Sequence, residues 1–427
     1  MQSDESTQNP VLPFNERIIE SGNYAFALGL IEARCGLFAF YPGTPISEIF
    51  DHLKQLKEMT KTDIFLDNSI NETVAFSEAL GASWSGIRAA VAFKHLGMNL
   101  ISDVLHSAMY SGIDGKRAGL VIICGGDPEC SSSTNSQDNR LYSLHTKLPI
   151  LEPWDVDSCR YLVAVAFELS ERINLPIMIY TNSRLCHSSG FIYTNKDYGL
   201  YPLKKEYDGH KTQKIFIKNP DKYWNAIHWA IANQKRLNST IESVKNAENF
   251  GLYKIINEDR SPKWNNHSIA FITSGICTSY VQEFCFLIDH PFPILQIILT
   301  YPISAKIIKK FVLKVKPQSL IICEELEPYL EDQVKISLYD SEIKPKIIGK
   351  EVFPREREFK FEYLYLLFKE KFNLAPIENL EIPKHISDIC SKLPIREPTF
   401  CTGCAHRNTF YALKKSAEQY LKETNIE

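Results

Sequence analysis

The sequence predicts an α/β fold built on parallel sheets, and three observations carry that prediction. Short runs apolar on both sides, such as Arg88–Lys94 and Gly119–Cys124, alternate with segments of helical period. The alternation occupies two stretches, separated by a segment richer in Lys, Asn and Tyr. The 427 residues leave room for two or three domains, each able to bury a core.

Residues 1–19 are polar and read as a disordered tail. In residues 20–190 the pattern gives a helix at Gly22–Cys35, a strand at Leu37–Tyr41, a helix at Pro45–Met59 and a strand at Asp63–Leu66. It continues with a helix over Glu72–Ser85, the strand Arg88–Lys94, a helix near Asn99–Tyr110 and the strand Gly119–Cys124. A helix at Asp155–Ile173 and a strand at Pro176–Tyr180 close this first domain. Residues 191–265 read as a linker with one helical insert, Tyr223–Val244. In residues 266–350 the rhythm returns: SIAFITSG, PILQIILT and QSLIICEEL read as strands, with helices at Cys277–Ile288, Ser304–Val315 and Pro328–Leu338. Residues 351–395 carry mixed charge and read as a connector, and 396–427 hold a CTGC segment and a helix, Asn408–Leu421.

Fifty-one acidic against 48 basic side chains, a net charge of −3 and 44% hydrophobic residues exclude a strongly basic nucleic-acid binder and a globally disordered chain. No apolar run approaches the ~18–20 residues of a membrane span, and the N-terminus lacks the basic-then-apolar order of a signal peptide. A soluble, cytoplasmic protein is expected. Eleven cysteines, most isolated in apolar runs, do not describe a disulfide framework.

Several segments place polar residues at strand ends. Tyr41-Pro42-Gly43-Thr44-Pro45 is either a well-made helix start, with Thr44 as cap, or an anion site suited to a carboxylate. Glu72 opens a helix, where a carboxylate is worth a few tenths to ~1 kcal/mol as a dipole partner. That helix is rich in small residues, however, so another backbone can approach and desolvate Glu72, readying it to share a proton. Lys94, His95 and Asn99 crowd the same rim. The long polar loop from Gly125 to His145 reads as scaffolding or substrate coverage, since Asp127 and Asp138 lack a second carboxylate at metal-ligand spacing. Cys401 and Cys404 have the spacing of half a zinc site only, and no metal is assigned.

Taken in order, GNYAFALGLIEA, YPGTPISEI, NETVAFSEALGAS, KHLGMNL, DPECSSSTNSQDNR, LPILEPWD, SR-x-x-H, IICEELEPYLEDQV and REPTFCTGCAHR resemble one family. It is the large (alpha) subunit of indolepyruvate:ferredoxin oxidoreductase, a thiamine-diphosphate-dependent 2-oxoacid oxidoreductase. The resemblance implies a pyrimidine-binding domain over 20–190, a smaller transketolase-C-like domain over 266–350, and the start of a diphosphate-binding domain from 396. It implies that Glu72 holds the aminopyrimidine ring and promotes ylid formation, with Gly97, Asn99, Gln137 and Asp138 beside the cofactor. Thr44, Lys94 and Arg184 are implied to meet the substrate. The implied reaction oxidatively decarboxylates an aryl pyruvate such as indolepyruvate, with coenzyme A taking the acyl group and ferredoxin the electrons. A second (beta) subunit and [4Fe-4S] clusters belong to that enzyme, and an oligomer is expected.

The chain departs from the family pattern in places. Gly126-Asp127 replaces a pair of aspartates, Ser136 an acidic residue, and Thr402 and Ala405 the prolines after each cysteine. No Gly-Asp-x motif follows Lys415, so the magnesium and diphosphate site is expected elsewhere than on this sequence, as are the clusters. Two alternatives stand beside the aryl pyruvate reading. One is the same chemistry on another 2-oxoacid, such as pyruvate. The other is a non-catalytic remnant that binds a partner through its small-residue helix.

Overall fold

The computed structural model describes residues 17–115, 118–194, 215–258, 269–372, 388–389, 391–394, 403–404 and 406–424. Most of the expected N-terminal tail, much of the connector, Cys390 and Cys401 lie outside the described residues. The chain forms two compact units, Met1–Leu367 and Phe368–Glu427.

The first unit begins with β1 (Arg17–Ser21), α1 (Gly22–Glu32), β2 (Leu37–Phe40), α2 (Glu48–Thr60), β3 (Phe65–Asn68), α3 (Glu72–Trp84) and β4 (Ala89–Lys94). The short α4 (Gly97–Leu100), α5 (Ser102–Ser111), β5 (Leu120–Gly126), α6 (Leu141–Thr146) and β6 (Ile150–Leu151) follow. Next come α7 (Val156–Ile173), β7 (Ile177–Asn182), α8 (Ser183–His187) and β8 (Ser189–Tyr193). α1 is largely apolar and buried from Gly22 to Ile31, because it sits between α2 and α7. Its approach to α7 depends on Gly29, where a Cβ would lie 2.5 Å from the carbonyl oxygen of Arg160. Asp155 caps α7 in a reciprocal box with Ser158.

After α9 (Pro220–Tyr223) and α10 (Ile227–Asn246), the chain enters β9 (Tyr253–Ile256), β10 (Ile269–Ser274), α11 (Cys277–Leu287), β11 (Ile294–Ile297) and β12 (Leu299–Tyr301). It continues through α12 (Ala305–Val315), β13 (Ser319–Cys323), α13 (Tyr329–Leu338), β14 (Lys346–Ile348) and α14 (Phe361–Phe372). Residues in α14 straddle the boundary between the two units.

The large sheet has the order β12-β6-β7-β5-β4-β2-β3, parallel throughout except for β12. The small sheet, β14-β13-β10-β11-β9, is parallel except for β9. A fold of mixed α/β type with parallel sheets is therefore what the chain adopts. One strand expectation is corrected: PILQIILT is two strands in different sheets, β11 in the small one and β12 in the large one. The break falls at Ile298, whose N–H and that of Leu299 both donate to the carbonyl of Leu252. A buried Asn249 fastens the crossing, its amide donating to the carbonyls of Leu299 (3.1 Å) and Pro302 (2.8 Å).

In the second unit, α15 (His406–Thr424) has no buried residue, and Phe410, Tyr411 and Leu413 are more than half exposed.

Candidate functional site

The strand order of the large sheet creates a switch point. From β2 the chain moves outward to β3, then returns to the other side of β2 as β4. In open α/β sheets, ligands bind in the crevice that such a reversal leaves at the carboxyl ends of the strands. Thr44 follows β2, Glu72 follows β3, and Lys94, Gly97 and Asn99 lie at the end of β4. The turn after β2 lies against Lys94: a Cβ on Gly43 would sit 2.9 Å from that of Lys94.

Glu72 is the first residue of α3, which Asn71 caps by accepting from the N–H of Val74 at 2.9 Å. Only 6% of Glu72 is exposed, and no residue described here hydrogen-bonds its carboxylate. Gly97 packs directly on it: a Cβ there would lie 2.6 Å from Cγ of Glu72 and 2.8 Å from the Phe93 ring. Ile70 and Val74, two positions to either side in sequence, and Leu100, whose carbonyl accepts from the Thr73 hydroxyl, expose their side chains. A buried carboxylate with open acceptor sites fits a ligand that brings a hydrogen-bond donor.

The Thr44 expectation is corrected in one respect. Helix α2 begins at Glu48, so Thr44 is not its cap and Pro45 is not its first residue. Thr44 lies exposed in the preceding turn, which Ser47 closes by accepting from the Gly43 N–H at 3.1 Å. Glu48 and Asp51 occupy the first turn of α2 and themselves answer its dipole.

Lys94 is buried, and its ammonium donates to the carbonyl (2.8 Å) and hydroxyl (3.0 Å) of Ser132, 3.6 Å from Asp127. Asp127 gathers its own loop, accepting from the N–H groups of Ser131 and Ser132 and from the Ser133 hydroxyl. Burial alone would raise the Asp127 carboxyl; these hydrogen bonds, with Lys94 alongside, outweigh it and hold the group below its usual range. The loop is thus scaffolded from within. His95 is fully buried, with Nε2 3.0 Å from the Asn135 carbonyl, and burial holds its imidazole below the ordinary value.

Asn99 and Gln137 are brought together by two hydrogen bonds between their amides, 3.0 and 3.1 Å. Tyr142 donates to Asn99 at 2.6 Å, and Gln137 donates to Asn139 at 2.7 Å. The sequence reading missed Tyr142 and Asn139; the polar run through Asn139 was the available signal. Asp138, by contrast, is not joined to this group. It is buried, and Arg140 grips its carboxylate through Nε (2.9 Å) and Nη2 (2.6 Å). Arg184, on α8, pairs with Glu358. No group of three or more His, Cys, Asp or Glu side chains is arranged to hold a metal among the described residues.

The family model for the thiamine-diphosphate-binding part of pyruvate flavodoxin/ferredoxin oxidoreductases matches residues 28–249. The chain belongs to this family. Among curated relatives, the indolepyruvate oxidoreductase subunit IorA of Pyrococcus abyssi is 33% identical over 94% of this chain and 60% of its own length. The subunit of that name from Archaeoglobus fulgidus is 29% identical over 95% of this chain and 62% of its own length. The chain thus spans about 60% of the length of such curated relatives. A 2-oxoglutarate:ferredoxin oxidoreductase from Magnetococcus marinus shares the fold, with a TM-score of 0.61 at 17% identity, over 84% of this chain and 65% of the other. Thr44, Glu72, Lys94, Gly97 and Asn99 all fall within the matched residues. No helix among the described residues is long and apolar enough to cross a membrane.

Proposed function

We propose that this chain supplies the aminopyrimidine half of a thiamine diphosphate site in an enzyme that oxidatively decarboxylates a 2-oxoacid. An aryl pyruvate such as indolepyruvate is the substrate we favour, with coenzyme A taking the acyl group and ferredoxin the electrons. The observation that carries this reading is Glu72, a carboxylate 6% exposed at a switch-point rim, with no hydrogen bond from the described residues. Its free acceptor sites suit a hydrogen-bond donor on the ring edge of a ligand. The absence of a side chain at Gly97 lets it pack against the Glu72 stem, with the Phe93 ring alongside.

When bound, the cofactor supplies a carbon nucleophile for the keto group and a sink for the electron pair released with carbon dioxide. This chain's residues position and exclude. In this reading Thr44, exposed in the turn after β2, meets the substrate carboxylate. Asn99, braced by Gln137 and Tyr142, presents an amide at the same rim. Lys94 is committed to Ser132 and lies near Asp127, which assigns it to shaping the loop over the crevice more than to holding substrate. In this reading the magnesium and diphosphate, the [4Fe-4S] clusters and a second (beta) subunit complete the enzyme.

The test is Glu72→Gln in the assembled enzyme. We expect indolepyruvate-dependent ferredoxin reduction to fall by about 10²-fold or more, the scale of a lost acid–base contribution. An unchanged rate refutes the role of Glu72. Faster turnover of pyruvate than of indolepyruvate in the unsubstituted enzyme overturns the aryl preference alone.

A further inference from the structure

The polar network that reaches Asn99 fixes which way its amides point. Its anchor is the backbone carbonyl of His95, which can only accept. Asn139, fully buried, donates to that carbonyl through Nδ2 at 2.8 Å, and to Sγ of Cys124 at 3.2 Å. Oδ1 of Asn139 therefore turns toward Gln137 and accepts from its Nε2 at 2.7 Å. The same nitrogen donates to the His95 carbonyl at 3.2 Å. An oxygen in its place would face two acceptors, so the Gln137 amide takes one orientation.

Asn99 has to match it. Its Nδ2 donates to Oε1 of Gln137 at 3.0 Å, and its Oδ1 accepts from Nε2 of Gln137 at 3.1 Å. The Tyr142 hydroxyl also donates to that Oδ1, at 2.6 Å. Two donors occupy both lone pairs of Oδ1, whereas Nδ2 has two hydrogens and one acceptor among the described residues. Nε2 of Gln137, with three acceptors around it, has no hydrogen to spare. One open N–H is left over, and it belongs to Asn99. That residue is exposed on α4, two positions beyond the Gly97 that packs against the stem of Glu72.

We propose that Asn99 offers this single N–H to an acceptor atom of a ligand at the rim, and that Gln137, seconded by Tyr142, is the positioning residue that sets its polarity. The inference rests on the thiamine diphosphate reading above and deepens it. The rim then presents two unlike open groups: Glu72 accepts, and Asn99 donates. Gln137 meets no ligand itself and acts through Asn99. The acceptor is an oxygen or nitrogen either of the cofactor or of the 2-oxoacid.

The test uses the assembled enzyme and two readouts, the Kd for thiamine diphosphate by calorimetry and the KM for the 2-oxoacid it turns over fastest. We expect Asn99→Ala to weaken one of them by about 3–10-fold, the scale of one hydrogen bond. A change in the first locates the acceptor on the cofactor, and a change in the second locates it on the substrate. Asn99→Asp, nearly the same in shape but carrying acceptors alone, should weaken that readout more than Asn99→Ala does. Gln137→Met should weaken it too, yet add nothing in the Asn99→Ala background, because a positioning residue acts only through what it positions. Unchanged binding in Asn99→Ala, or better binding in Asn99→Asp than in Asn99→Ala, overturns the donor assignment. Additive losses for Gln137→Met and Asn99→Ala overturn the positioning role. Should Gln137→Met not fold, Tyr142→Phe decides by the same cycle. A loss that vanishes in the Asn99→Ala background supports the role, and a loss that persists there, or no loss, refutes it. Failure of the unsubstituted enzyme to bind thiamine diphosphate is a different result, and it overturns the reading on which this inference rests.

Discussion

At the scale of single residues, the site depends on what is kept away from Glu72 as much as on Glu72 itself. A Cβ at Gly97 meets Glu72 and Phe93 at 2.6 and 2.8 Å, closer than ordinary contact allows. Gly97→Ala should therefore displace the carboxylate, costing about 1–3 kcal/mol of stability and weakening thiamine diphosphate binding in calorimetry of the assembled enzyme. Retained affinity would show that the crevice adjusts. Glu325 supports a second prediction. Burial pushes its carboxyl up to about 7, against the hydrogen bonds of Phe359 and Asn182, with Glu358 and Arg140 nearby. The folded state thus prefers the protonated form. This contribution is complete below the ordinary glutamate value of 4.5 and is lost as pH rises through about 7. The unfolding midpoint should fall between pH 5 and 8, and Glu325→Gln should remove part of that fall. The buried position of Glu72 at the start of α3 was legible in the sequence, because an Asn-Glu pair opening a small-residue helix is a local signal. The surroundings of Asp138 were not, because Arg140, which holds it, is itself fixed by Glu324, 184 positions further on.

At the scale of elements, close approach and chain crossing are the two devices that matter. Helices α1 and α7 meet where Gly29 faces the Arg160 carbonyl, so Gly29→Ala places a methyl 2.5 Å from a backbone oxygen. Backbone cannot rotate away as a side chain can. We expect a loss of about 2–3 kcal/mol, read from denaturant midpoints at constant slope. Asn249 serves the crossing from β11 to β12: it donates to two carbonyls, and its Oδ1 accepts from the Ser304 N–H at 3.1 Å. Asn249→Ala leaves these buried groups unmet and should cost about 2–3 kcal/mol in the same measurement. Helix positions were readable from period and caps. PILQIILT was not divisible by eye, because eight residues with no polar break but Gln296 satisfy one strand as well as two. The pairing of β1 with β8 and the short β6 were likewise hidden, since only their partners make them strands.

At the scale of the whole molecule, the two sheets of the first unit are joined through Arg140, which reaches Asp138 beside the large sheet and Glu324 and the Glu325 carbonyl at the end of β13. Arg140→Ala leaves buried carboxylates without their cation and should cost about 3–5 kcal/mol. Calorimetry should then resolve two unfolding transitions where the unsubstituted unit shows one; a single transition would mean that other contacts hold the sheets together. The sequence by itself determined the α/β class, the longer helices of the two βα stretches and the rim residues at the strand ends, but not α6, α8, α9 or α14, the last of which forms in the segment read as a connector. Those features follow from period, burial pattern and turn chemistry, which act over a few residues. Tertiary structure decided which of the rim residues face one another. It joined Asn99 to Gln137, turned Asp138 toward Arg140, and committed Lys94 to Ser132. It also divided one apolar run between two sheets, and it left Glu72 buried with its hydrogen-bonding capacity open to a ligand. Those outcomes depend on partners distant in sequence, and no local pattern encodes where a distant partner will stand.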